Sequence, residues 1–275
     1  MMAMRDICEL GPVPSRDTGL LTETAAPRRI PIPRRIYHRR VSDPTERREA
    51  LKDLFTTCRG CVRCPQLAAS RRNVVFGAGN AHADLMFVGE APGQNEDEQG
   101  LPFVGQAGKL LNQLLEEVGL ARDEVFVANV LKCRPPGNRD PQPVEIDNCQ
   151  GYLYDQVALI RPKVICTLGN FATKLLRADQ TGITRVHGRD EVKVVGTRAV
   201  RLLPLLHPAA ALYTRSMLDV LREDFARLPE LLALPEPDQP APEAPPELVV
   251  PEPELAAEDP PREPEVVAAS QLGLF

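Results

Sequence analysis

Five cysteines carry the first chemical signal in this chain. Cys58, Cys61 and Cys64 are crowded together, and Cys133 and Cys149 form a looser pair further on. In a reducing compartment such spacing favours metal binding over disulfides. Cys61 and Cys64 with Cys133 and Cys149 give four thiolates, enough for a [4Fe–4S] cluster or for structural zinc. Cys58 and Cys61 have the same spacing as Cys61 and Cys64 and compete with them. Cys8 falls in a segment without periodicity, and Cys166 reads as a buried strand residue.

A second group of residues lies where apolar runs end. Gly89-Glu90-Ala91-Pro92-Gly93-Gln94-Asn95-Glu96-Asp97 leads into a second glycine-rich stretch, 100–108, that contains Phe103. A glycine-rich loop between strand and helix suggests anion binding. This one lacks the spacing of a dinucleotide fingerprint and the Lys of a P-loop, and it carries acids of its own. Asn129 and His207 close two further apolar runs. Taken singly, Phe103 suits an ordinary core, Asn129 a strand-end turn and His207 a structural place before proline.

The elements that must position these residues alternate. Strands are expected at 83–88, 125–130, 164–168 and 200–206, and helices at 108–118, 144–160, 170–176 and 217–232. This order predicts an α/β fold, a three-layer α/β/α domain with a central, mainly parallel four-stranded sheet. Ligands of such sheets bind beyond the carboxyl ends of the strands, where Gly89-Glu90, Asn129 and His207 all fall.

That domain is expected over residues 49–234. Residues 1–48 hold Arg pairs between prolines without helical or strand period, and are expected to be a disordered arm. The arm is either a solvated tail, a misplaced start, or a tether for DNA phosphates. Residues 235–270, rich in Pro, Glu and Ala, are expected to form an extended linker. The net charge of −5 is unevenly spread, because 235–275 holds ten acids and one Arg while 51–234 is close to balance, with 22 basic and 21 acidic residues. Overall charge therefore does not exclude nucleic acid as a partner of the folded part. No apolar run reaches the roughly 18 residues of a membrane span, and the N-terminus lacks the layout of a secretory signal. A cytoplasmic, nucleoid-associated monomer with no membrane contact is expected.

Three stretches carry a specific resemblance. GEAPGQNEDEQGLPFVGQAGKLL (89–111), NVLKCRPPGNR (129–139) and LLHPAAAL (205–212) are similar, in order, to the three sequence blocks of the family 4 uracil-DNA glycosylases, which contain an iron–sulfur cluster. The resemblance implies removal of uracil from DNA, with Phe103 stacking on the flipped base and Asn129 pairing with its Watson–Crick edge. It implies that His207 donates to the developing charge on uracil O2. Glu90 and Glu96 match acidic positions that hold the attacking water, stabilise the sugar cation or crowd out the thymine methyl. Ala91 stands where some relatives have an aspartate, and Asn138 matches a position near the site. Lys132, Arg134 and Arg139 are expected at phosphates. No lysine nucleophile is indicated, so hydrolysis to an abasic site without strand cleavage is expected.

The same resemblance favours Cys64 over Cys58, because Cys64-Pro65-Gln66-Leu67 and Arg71 sit where the family's second ligand is followed by a short helix. It makes Cys61, Cys64, Cys133 and Cys149 the ligands of a [4Fe–4S] cluster that pins the loop 133–149. Some features depart from the pattern. His187 replaces an Arg, and Ala209, Ala210 and Ala211 precede Leu212, so the wedge into the duplex is Leu212 or is weak. The Lys/Arg-Ile-His insertion of one branch is absent between Cys133 and Cys149. Two other activities compete: a glycosylase for another deaminated base such as hypoxanthine, and a noncatalytic iron–sulfur DNA-binding protein. Finally, Gln271, Leu272, Leu274 and Phe275 resemble the short peptide that docks on the bacterial sliding clamp. A linker of 36 residues reaches about 110 Å at roughly 3.1 Å per residue.

Overall fold

Unbroken apolar runs of four or five residues become strands buried on both faces, as a parallel sheet between helices requires. The computed structural model describes residues 43–241. In chain order these form α1 (Pro44–Arg59), α2 (Pro65–Ser70), β1 (Ala78–Gly79), β2 (Leu85–Gly89), α3 (Gln94–Gln99), α4 (Gln106–Glu117) and β3 (Phe126–Asn129). A short 3₁₀ turn (Pro136–Asn138) precedes α5 (Pro143–Ile160), β4 (Val164–Leu168), α6 (Asn170–Arg177) and α7 (Ile183–Val186). Then come β5 (Glu191–Val195), β6 (Arg198–Leu205), α8 (Pro208–Ala211), α9 (Arg215–Phe225) and α10 (Leu228–Ala233). None of these helices is long and apolar enough to cross a membrane.

The strand order is β1-β3-β2-β4-β6-β5. The inner four strands are parallel and are the four expected from sequence, while β1 and β5 add antiparallel edges. The sheet therefore has six strands. The edges escape a periodicity reading because β1 has two residues, and β5 turns Val192 and Val194 outward. Alternation divides the core. Met86, Val88, Ala128 and Ile165 face a layer with α1 and α5, whereas Phe87, Val127, Cys166 and Leu203 face α4 and α9.

Three boundaries differ from expectation. The helix expected at 217–232 is two helices, broken before Pro229, which cannot donate to the carbonyl four residues back. Helix α1 begins at Pro44, capped by Asp43, ahead of the expected boundary at residue 49. Its Arg47 donates to the last carbonyls of α5, at Leu159 and Ile160. At the other end the chain stays on the domain past residue 234. Glu236 pairs with Arg198, and the Gln239 carboxamide makes both hydrogen bonds to the Ala199 backbone, at 3.2 and 3.0 Å. The rest of the Arg/Pro-rich arm, the rest of the acidic linker and the peptide Gln271, Leu272, Leu274, Phe275 lie outside the described residues.

Because β2, β3, β4 and β6 run the same way, their carboxyl ends share one edge. Register sets the neighbours there: Gly89 stands opposite Asn129, and Leu168 opposite Leu205, two residues before His207.

Candidate active site

A cavity of about 410 Å³ opens at that edge. Its wall brings together Glu90, Ala91, Glu96, Phe103, Asn129, Asn138, Arg139 and His207 from all three sequence blocks. This volume suits one small ligand.

Phe103 forms one wall. Its backbone is left-handed (φ 54°), a conformation that costs a residue with a side chain about 1–2 kcal/mol. Two features hold it. The Glu96 carboxylate accepts from the next two amides, Val104 and Gly105, at 2.9 Å each. Gly108 lets α4 close on the Phe103 carbonyl, where a side chain would collide. Glu96 is thereby committed to shaping the loop.

Asn129 ends β3 with 1 % exposure, and its carboxamide oxygen has no hydrogen-bond partner. A buried unpaired acceptor costs roughly 1–3 kcal/mol, a cost that a ligand donor would remove. The site fits only because residue 89 is glycine. A side chain there would overlap the Asn129 carboxamide and stand 2.8 Å from the Phe103 ring.

His207 faces Phe103 with ring centroids 5.9 Å apart. Burial lowers its pKa, so the ring is neutral near pH 7. The Ala209 amide donates to Nδ1 at 3.1 Å, which leaves the ring proton on Nε2. His207 is therefore a neutral donor. Glu90 is the pocket's perturbed acid: burial, helped by the charge of Asp140, pushes its pKa up to about 7.

The rim is built by the proline-rich loop after β3. Asn138 is also left-handed (φ 54°), and its side chain is held by Arg134 Nε at 2.7 Å. Arg139 gives both its terminal nitrogens to Glu145 on α5, a buried carboxylate that also accepts from the Gln142 amide.

Comparison with known proteins decides the family. Residues 76–229 match the model of the uracil DNA glycosylase superfamily. A type-4 uracil-DNA glycosylase of Sulfurisphaera tokodaii is 45% identical over 193 residues, 68% of this chain and 86% of that protein. Proteins of the same name from Archaeoglobus fulgidus and Thermotoga maritima are 43% and 41% identical, over 69% and 62% of this chain and 96% and 87% of their own lengths. The chain belongs to the uracil-DNA glycosylase superfamily.

For this superfamily member the structure corrects one expected DNA contact. Lys132 is no phosphate ligand: it is 1 % exposed, and its amine donates inward to the Asn129 carbonyl at 2.8 Å and to Gln156 Oε1 at 2.6 Å. Burial lowers its pKa to about 8. Arg139 pairs with Glu145, as above, and lines the pocket. Leu212 is 39 % exposed after α8, but its neighbour Tyr213 is 91 % exposed. Sequence does not single out Tyr213, because an aromatic residue beside Leu212 carries no chemical signature of its own.

None of the six described cysteines is in a disulfide. Cys64, Cys133 and Cys149 meet around Leu67 and Leu131. Arg71 ties Cys61 to them, donating to the Cys61 carbonyl at 2.8 Å and to Cys133 Sγ at 3.1 Å. Each of the four sulfurs accepts a side-chain or backbone N–H. Arg63 reaches Cys61, Asn148 reaches Cys64, Arg71 reaches Cys133, and the Lys132 amide reaches Cys149. Arg63 also keeps a buried nitrogen, Nη2, without a partner. Cys58 instead packs in the apolar core of α1. Donors aimed at sulfur, with an orphaned cationic N–H beside them, fit an anionic thiolate-held group. Among the described residues no three Cys, His, Asp or Glu side chains stand close enough to hold a single metal ion. Sequence reasoning missed Arg63 and Asn148, whose partners are set by the fold.

The close packing at residue 89 yields a prediction. Gly89→Ala should fold with a modest loss of stability yet bind free uracil at least about tenfold more weakly, because the new methyl displaces Asn129 or Phe103 by a sizeable fraction of an ångström. Calorimetric titration with uracil measures this, and wild-type affinity would contradict the packing argument.

Proposed function

We propose that this chain is a monofunctional uracil-DNA glycosylase that hydrolyses the N-glycosidic bond of deoxyuridine in DNA and leaves an abasic site. The observation that carries the reading is the buried, unpaired carboxamide oxygen of Asn129, in one pocket with the facing rings of Phe103 and His207. The names of the similar proteins support it.

The geometry accounts for each step. A flipped uracil stacks on Phe103. Asn129 accepts from N3–H through Oδ1 and donates to O4 through its amide nitrogen. Cytosine has no N3–H and presents an amine in place of O4, so it leaves both groups mispaired. As the bond from C1′ to N1 breaks, the electron pair moves onto the base and charge grows on O2. The Nε2–H of neutral His207 stabilises that charge without giving up its proton. Water adds to C1′, and its proton passes to the Glu90 carboxylate. Glu90 suits this role because its carboxyl titrates near 7, whereas Glu96 is engaged by two backbone amides.

The four donor-capped cysteines, Cys61, Cys64, Cys133 and Cys149, would hold a [4Fe–4S] cluster. Hydrolysis requires no electron, so the bound cluster would serve as a structural pin for the loop 133–149. Among the described residues, Arg134, Asn138, Arg139, Leu212 and the exposed Tyr213 ring would face DNA, the ring suited to filling the gap left by the flipped base. Outside the described residues, Gln271, Leu272, Leu274 and Phe275 would dock on a sliding clamp and raise the enzyme's concentration at new DNA.

Oligonucleotides with uracil opposite guanine, opposite adenine and in single strands test the activity. All should be cleaved after alkali, with Asn129→Ala and His207→Ala slower by about 10²-fold or more. No release of uracil from any substrate, or preferential release of hypoxanthine, would overturn the reading. The Glu90 carboxylate is the active form, so kcat/KM should rise as pH passes from about 6 to about 8, centred near 7. His207 adds no opposing limb, because its neutral form is likewise favoured as pH rises and burial lowers its pKa. Glu90→Gln should be slow and flat across the same window.

Anaerobically purified protein should be brown with about four irons per chain, as a [4Fe–4S] centre requires. Cys64→Ser should bleach it and Cys58→Ser should not. The reverse result would move the ligand pair, and a colourless protein with stoichiometric zinc would remove the cluster. A pull-down with purified clamp should capture the full chain but not a form lacking residues 271–275. Equal capture of both would end the docking idea.

A further inference from the structure

Helix α5 turns a line of polar side chains inward. Glu145, Asn148 with Cys149, Tyr152 and Gln156 are spaced by three or four residues and so share one side of the helix. The first grips Arg139 at the pocket rim, and the next two belong to the cysteine cage. Tyr152 lies under the Arg63 guanidinium, 4.6 Å from its ring centre. Gln156, fully buried, donates to the Phe76 carbonyl at 2.9 Å and accepts from Lys132 at 2.6 Å.

Lys132 is thus fastened at three points. Its amide donates to Cys149 Sγ at 3.3 Å, its carbonyl accepts from Val75 at 2.8 Å, and its amine spans from Gln156 to the Asn129 carbonyl. Lysines usually keep the amine in water, so a wholly buried one needs a reason. Lys132 does not line the pocket. The Asn129 carboxamide oxygen, in contrast, has no partner to fix it, so its position depends on the backbone that carries it.

We propose that Lys132 is a positioning residue for base recognition: its amine locks the Asn129 peptide to Gln156 of α5 and so sets where the Asn129 carboxamide stands in the pocket. The role rests on the reading that Asn129 pairs with uracil. Free uracil is the probe, because its equilibrium binding reports the pocket independently of bond cleavage.

Lys132→Met keeps an apolar stem of similar length and removes both hydrogen bonds. Gln156→Leu removes one of the two acceptors, and Gln156→Glu keeps an acceptor at the same place. Iron content and melting temperature are recorded for each form. Lys132→Met should bind uracil about tenfold or more weakly, a scale set by sub-ångström misplacement, while retaining its iron. Gln156→Leu should weaken binding to a smaller degree, and Gln156→Glu should restore it toward wild type. Wild-type uracil affinity in an iron-replete Lys132→Met protein overturns the proposal. So does loss of iron in step with loss of affinity across the series, which would make Lys132 part of the cage alone. If Lys132→Met does not fold, the contrast between Gln156→Leu and Gln156→Glu decides, and equal affinities there overturn it. A wild-type protein that neither excises nor binds uracil refutes the proposed function itself, a separate outcome from these.

Discussion

The parallel pairing of Gly89 with Asn129 is the constraint on which the pocket depends. It fixes the end of β3 against the end of β2, and side chains alternate, so a slip of one residue would turn Asn129 to the opposite face of the sheet. The pairing also explains the glycine. Phe103 and the Asn129 carboxamide both occupy the space that a side chain at 89 would need. Phe103 reaches that space through a left-handed turn, and the turn persists because Glu96 holds the two amides beyond it while Gly108 lets α4 close from below. One register thus brings β2, β3, α3 and α4 into a single arrangement around the pocket.

The layered fold was legible in the sequence because the inner strands are short apolar runs with no competing period, and Leu110, Leu111, Leu114 and Leu115 mark α4 by helical spacing. The gathering of Glu90, Asn129 and His207 followed from their places at the ends of parallel strands. What sequence misplaced were residues whose role comes from distant partners. Lys132, between Asn129 and an Arg-rich loop, reads as a phosphate contact, yet its acceptor Gln156 lies 24 residues on and is itself tied to Phe76, 80 residues back. Nor does sequence show that Arg139 pairs with a buried Glu145. Glu90 and Glu96 could not be told apart by type. Only the fold engages one with backbone amides and leaves the other to titrate near neutrality.

Electrostatics at the pocket follow from burial more than from net charge. An ionised carboxylate facing DNA would repel phosphate, but Glu90 lies deep enough that its charged form is disfavoured until about pH 7. The same desolvation keeps His207 neutral, and the Ala209 amide fixes its tautomer. The acid and the donor are therefore set by one physical cause acting on groups of opposite charge type. On the proposed mechanism, a cation forming at the sugar and an anion forming on the base would meet a carboxylate and an N–H already in place, so little reorganisation would be needed during bond cleavage.

The loop between β3 and α5 shows why a hydrolase of this kind would retain a cysteine cage. It supplies Pro135, Asn138 and Arg139 to the rim, yet apart from one 3₁₀ turn it has no regular structure. Its prolines remove donors that might have tied it to neighbours. Such a segment must be held at its ends. At the far end Glu145 does this, joining Arg139 and the Gln142 amide to the first turn of α5. At the near end Cys133 enters the cage with Cys149, one helical turn beyond Glu145 on the same helix. Both ends of the loop are thus referred to α5, and through Lys132 and Gln156 so is Asn129. The pocket rim and Asn129 are therefore both tied to that one helix. A cage that opened would free the near end of the rim, at Pro135, while the far end stayed clamped at Arg139, so the cage and the Arg139–Glu145 pair hold different parts of one wall.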